Sequence, residues 1–251
     1  QKTRVVAFTH CSNIVGSINP VREWTKIVRD AGAIVIVDGV SYAGHGLPDL
    51  NDLGADIYLF SLYKVYGPHI GVMFMRNSVN ELLPNQGHFF NVDSATNRFT
   101  PAGPDHAQIA SINGVLDYFE TIYTHHYGDA PEHAKVKSKR VSALFKRAEK
   151  TNLEGLLDFL TQKRDVNLIG KKVATNRAPT VSFTVDHQNP ANLTRDLAGK
   201  NIGIANGNCY AYRLMETLGI PPDKGINRIS FVHYTNTKEI NRLVSALDEI
   251  L

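Results

Sequence analysis

Residues 56–71 read DIYLFSLYKVYGPHIG. The run DIYLFS (56–61) is apolar, β-branched and aromatic, which predicts a buried strand. Lys64 follows just past its end. Burying an ammonium is costly. A desolvated lysine becomes nucleophilic, the property that condensation with a carbonyl requires. The alternative is an exposed lysine at a strand end. Asp38 favours the chemical reading, because it closes the earlier run AIVIVD (33–38). A carboxylate at one strand end and a lysine past the end of a later strand can converge on one rim of a sheet. A pyridoxal phosphate enzyme needs that pair: the lysine holds the aldehyde, and the carboxylate faces the pyridinium nitrogen.

The flanking sequence supplies the rest of the sheet. RVVAFTH (4–10) predicts a buried strand, and CSNIVGSI (11–18) a loop. Asn19 and Pro20 then read as the cap and first residue of a helix with Val21, Trp24, Val28 and Ala31 on one face. AIVIVD is apolar throughout, the pattern of a strand covered on both faces. GVMFMR (71–76) repeats the strand signal after so short a link that its pairing with 56–61 is expected to be antiparallel. Alternating strands and helices predict an α/β fold with a mainly parallel sheet.

Beyond it, residues 84–106 are rich in Asn, Gly, Pro and aromatics, and a long irregular stretch is usually functional or partner-facing. Helices are expected over 107–123 and 131–149. The remainder reads as a smaller α+β unit, with strands at 180–185, 201–205 and 228–234 and helices at 190–199, 210–218 and 237–250. The expected division is a partial large domain over 1–130 and a connecting helix with a small domain over 131–251.

THCSNIVGSINP, IVIVDGVSYAGH and FSLYKVYGPHIGVMF, in that order, resemble class V pyridoxal-phosphate-dependent enzymes, the aminotransferase and cysteine desulfurase family. The likeness continues through APTVSFTV and RISFVHYTNTKEINRLVSALDEI. The SLYK and YGPH wording is similar to a cysteine desulfurase-like branch. The resemblance implies the type I fold of these transferases, pyridoxal 5′-phosphate as cofactor, an amino acid as substrate and a homodimer. It implies that Lys64 forms the internal aldimine and that Asp38 holds the pyridinium nitrogen. Asn13 and Ser41 match positions facing the phenolic oxygen, and Ser61 a phosphate-binding hydroxyl. Arg228 matches the arginine that forks the substrate carboxylate, although a structural ion-pair role stays open. The expected activity is C–S lyase chemistry through Lys64. Transamination of a non-sulfur substrate and a non-catalytic scaffold are the alternatives.

The departures from that pattern are informative. Tyr63 stands where desulfurases carry His, and Ser41 where they carry Gln. Cys209, in ANGNCYAY, lies near the loop of the sulfur-accepting cysteine without its usual neighbours, so a packing role is equally open. The family's phosphate cradle and its ring-stacking residue would lie upstream of Asn13. Their absence leads to the expectation of a fragment lacking on the order of 100–150 residues, a typical domain's worth.

Composition narrows the remaining classes. The 251 residues carry 27 basic and 24 acidic side chains, an ordinary globular balance with no nucleic-acid footprint beyond the short cluster KVKSKR (135–140). No apolar run approaches the roughly 20 residues of a membrane helix. Two cysteines make no disulfide framework and point to a reducing, cytoplasmic setting. Ten histidines include no metal-binding spacing, so no metal is expected.

Overall fold

The computed structural model describes residues 2–100, 103–129 and 131–251. Contacts divide the chain into two compact units. One comprises the chain up to His10 with Pro20–Val141; the other comprises Cys11–Asn19 and Ser142–Leu251.

The first unit carries β1 (Val5–Thr9), α1 (Val21–Asp30), β2 (Ile34–Asp38), α2 (Leu50–Leu53), β3 (Ile57–Ser61), β4 (Gly71–Met75), α3 (Asn77–Leu82), α4 (His106–Ala110) and α5 (Ile112–Tyr127). Its sheet has the order β1-β2-β3-β4. The first three strands are parallel, and β4 returns antiparallel to β3, as the short link predicts. Val35, Val37 and Tyr58 are fully buried on one face, under Val21 and Val28 of α1 and Leu50 and Leu53 of α2.

The opposite face corrects two expectations. Ile34 and Ile36 are only half-buried, so β2 is fully covered on one side and not on both. Val5 is 48% exposed, because β1 is an edge strand rather than a buried one. Apolar content alone does not distinguish these cases. Helix α1 also starts one residue later than read: Pro20 takes the N-cap position and Asn19 lies outside it.

Helix α6 (Ala134–Gln162) begins in the first unit and continues into the second. It runs well past the expected end near 149, because Leu153, Leu156, Leu157 and Leu160 extend an apolar stripe at helical spacing and are buried. The second unit continues with β5 (Val166–Ile169), β6 (Thr180–Val185), α7 (Pro190–Gly199), β7 (Ala205–Gly207), α8 (Tyr212–Thr217), β8 (Ile226–Ser230) and α9 (Thr237–Asp248). Its sheet is antiparallel throughout, in the order β5-β6-β8-β7. The α6 leucines pack with Val181, Phe183, Leu193, Leu197, Ile240 and Leu247 into one core. Helix α9 is entered through a capping box: Asn236 Oδ1 accepts from the Glu239 amide at 3.0 Å, and Glu239 Oε2 accepts from the Asn236 amide at 2.8 Å.

Candidate cofactor site

In the first unit the site residues stand on two turns at the C-terminal rim of parallel strands, where open α/β sheets bind ligands. Asp38 ends β2, and Ser61 ends β3. Asp38 is in register with Leu59, so Asp38 and Ser61 emerge on the same face. The Asp38 side chain is exposed, and its Oδ1 accepts the Val40 amide at 2.9 Å.

The turn after Asp38 rests on buried aromatics. A Cβ on Gly39 would come within 2.2 Å of the Tyr58 ring, so glycine alone fits there without displacement. The Tyr58 hydroxyl and His10 Nδ1 are 2.9 Å apart. The His10 ring stacks on Tyr42, with centroids 3.6 Å apart and planes 13° from parallel. The amides of Tyr42 and Ala43 both donate to the Gly39 carbonyl, which winds Ser41 into a tight turn and leaves it half-buried. His10, Tyr42 and Tyr58 were not singled out from the sequence, because only their packing reveals them.

Lys64 closes a 3-10 turn (Leu62–Lys64) directly after β3. Amides of Val65 and Gly67 donate to the Leu62 carbonyl, and the Leu62 amide donates to Ile70. The two turns are tied together. A Cβ on Gly44 would lie 2.5 Å from the Lys64 carbonyl, and the Tyr66 hydroxyl donates to the Gly44 carbonyl at 2.6 Å. The expectation of a desolvated lysine is not met: the Lys64 side chain is exposed, because its turn stands beyond the strand end at the rim. Its Nζ lies 5.3 Å from the centroid of the Tyr63 ring.

Asn13, Cys209 and Arg228 belong to the second unit and are brought together there. Asn13 Nδ2 donates to the Cys209 carbonyl at 3.2 Å, and Arg228 Nη1 donates to the Asn13 carbonyl at 3.0 Å. Arg228 Nε is buried without a hydrogen-bond partner among the described residues. Ser182 Oγ donates to the Ile14 carbonyl at 2.7 Å and pins the same loop to β6.

Cys209 and Tyr210 both have left-handed backbones, with φ of 48° and 64°, and the Ala211 amide donates to the Asn208 carbonyl at 2.8 Å. That is a type I′ turn without its usual glycine. The turn packs the Cys209 side chain against a cluster built on Ile14, Ile169, Met215 and Ile226, and leaves Tyr210 fully exposed. Cys11 is buried, its thiol directed at the Gly16 carbonyl 3.5 Å away. Burial pushes that thiol up to about 12, so it stays protonated and inert near neutral pH.

The family model described as Aminotransferase class-V matches residues 1–243. The chain belongs to that family. It is 33% identical, over its whole length, to an aminotransferase-like protein, FGM3, of Gibberella zeae, and covers 60% of it. It is 28% identical to a cysteine desulfurase of Pectobacterium atrosepticum, covering all of this chain and 59% of that one. Among solved structures, the apo cysteine desulfurase of Thermococcus onnurineus NA1 superposes with a TM-score of 0.82 at 25% identity, over 98% of this chain and 60% of that one. The fold is therefore the type I fold of pyridoxal-phosphate-dependent enzymes, of which the chain spans about 60% of these relatives' length.

Class V aminotransferases and cysteine desulfurases use pyridoxal 5′-phosphate. The donor set at the first unit's rim suits that group. It offers an accessible amine to condense with an aldehyde, an accessible carboxylate to face a pyridinium, and hydroxyls on both turns.

Proposed function

We propose that the chain forms part of a pyridoxal-phosphate-dependent enzyme that acts on an amino acid by cysteine desulfurase-like C–S lyase chemistry. The observation that carries this reading is the pair of tied turns that bring Asp38 and Ser61, on one sheet face, to the rim where Lys64 stands. When bound, the cofactor supplies an electron sink for a carbanion at the substrate Cα. Lys64 would supply the amine that holds the cofactor's aldehyde and a base for the substrate Cα proton. Asp38 holds a negative charge against the pyridinium nitrogen. Asn13 retains a second amide N–H for the phenolic oxygen, since Cys209 takes only one. Ser41 donates toward that same oxygen, Ser61 toward the phosphate, and Tyr63 flanks the lysine. Arg228 forks the substrate carboxylate with N–H groups not committed to Asn13. The working form is a homodimer in a reducing, cytoplasmic setting.

A second reading is favoured by Cys209. A persulfide acceptor must be free to meet substrate sulfur, whereas this side chain packs into an apolar cluster. Transamination of a non-sulfur amino acid needs no such thiol.

The test is the visible spectrum of the chain with added pyridoxal phosphate, followed by borohydride reduction and peptide mass analysis. An absorption band and a pyridoxyl group on Lys64 are expected. A folded chain that takes the label elsewhere removes the assignment of Lys64, and one that takes none shows that this part of the enzyme does not bind the cofactor by itself. Loss of persulfide formation from cysteine in Cys209→Ala would favour the lyase, and persistence would exclude Cys209 as acceptor.

A further inference from the structure

Tyr63 and His69 stack face to face, with centroids 4.8 Å apart and planes 12° from parallel. The Lys64 ammonium lies over the same Tyr63 ring, 5.3 Å from its centroid, within the range of cation–π attraction. All three side chains are exposed. An exposed lysine ordinarily samples many rotamers, and ordering it has an entropic cost. Here the surroundings that would order it are aromatic. The backbone delivers His69 to this place: it sits in the link between β3 and β4, whose last pair is Ser61 with Gly71, and the Leu62 amide donates to the Ile70 carbonyl at 2.9 Å.

We propose that His69 is a positioning residue for Lys64: its ring holds the Tyr63 ring in the plane over which the lysine ammonium rests. Tyr63 occupies the position directly before the lysine, so its backbone cannot move apart from that of Lys64. Its ring is free to rotate unless something packs against it, and His69 is what packs against it. The aromatic face orients the ammonium and shields it from reagent; it does not supply the desolvation that the lysine lacks. The significance of this device for catalysis rests on the reading of Lys64 as the cofactor-binding amine, but the stack itself needs no cofactor.

Competitive acetylation with acetic anhydride, read by peptide mass, reports the reactivity of Lys64 with no cofactor present. Exposed Lys172 serves as the internal reference. In His69→Ala the acetylation of Lys64 relative to Lys172 is expected to rise about two- to fivefold, the range a surface cation–π contact supports. Tyr63→Leu should give the same rise. His69→Phe keeps a flat ring for the stack and should keep the wild-type ratio. Thermal melts establish that each variant is folded. An unchanged ratio in His69→Ala overturns the proposal, and so does a His69→Phe ratio that matches His69→Ala. Pyridoxal phosphate trapping is scored on the same proteins. Absence of label with the expected acetylation pattern shows that this part of the enzyme does not bind the cofactor by itself and leaves the stack standing. Label on Lys64 with no change in acetylation removes the stack alone.

Discussion

The rim of the first unit and the Asn13 loop of the second place their polar groups by opposite means. At the rim, Asp38 and Ser61 are set by strand register, and Lys64 by a turn that closes on its own backbone. Their side chains reach solvent and keep most of their hydrogen-bonding capacity. In the Asn13 loop the polar side chains are themselves the framework. Asn13 commits one amide N–H to the Cys209 carbonyl, Arg228 one N–H to the Asn13 carbonyl, and Ser182 its hydroxyl to Ile14. Substituting the solvent-reaching side chains of the rim therefore removes chemistry and leaves the fold, whereas a substitution in the loop disturbs geometry as well.

The largest effect expected from that contrast is at Lys64. Lys64→Ala should lose all pyridoxyl label while its melting temperature stays within a degree or two of the wild type, since an exposed side chain away from caps and cores changes stability little. A large drop in melting temperature would show that the rim is structural too. Second is Gly39→Ala, which introduces a Cβ 2.2 Å from a buried tyrosine ring. It should destabilise by about 1–3 kcal/mol, as overpacking does, read by urea denaturation. Ser182→Ala comes third. It leaves the Ile14 carbonyl without its donor at a fully buried site and should cost about 1–3 kcal/mol. A neutral result there would break the contrast, because the loop would not depend on its side-chain bonds.

A further effect concerns pH. The buried Cys11 thiol is raised from 9.0 to about 12 by burial. Between those values the unfolded chain has lost the thiol proton while the folded chain keeps it, so stability falls as pH rises through this window. Melting temperatures measured from pH 8 to 11 should decline less steeply in Cys11→Ala than in the wild type. Equal slopes would mean that Cys11 is not closed off in solution. Over the same range Cys209, which is only half-buried, should react with iodoacetamide well before Cys11 does.

Elements with strong local signals were legible in the sequence. The strand read at 180–185 and the helix read at 190–199 occur with those bounds as β6 and α7, the helix entered through an Asn cap and Pro190. The antiparallel return of β4 followed from the shortness of its link. Strand β5 went unread, because VNLI is too short to show a period. The extension of α6 was missed because the basic segment before it and the leucine stripe after it look like two different regions.

Local chemistry in the chain thus marked the strongest strands and helices and which residue types stand at the ends of β2 and β3, but not every boundary: the strands expected at 201–205 and 228–234 lie at Ala205–Gly207 and Ile226–Ser230. Periodicity and capping act between near neighbours, so they can be read from order alone. Contacts between residues distant in the chain settled the remainder. They covered one face of β2 more fully than the other, slid His10 onto Tyr42 beneath the Asp38 turn, and tied Asn13 to Cys209 and Arg228 in the second unit. They also stood Lys64 in the open against an aromatic ring. None of these follows from spacing, because each depends on which surfaces meet once the chain has folded.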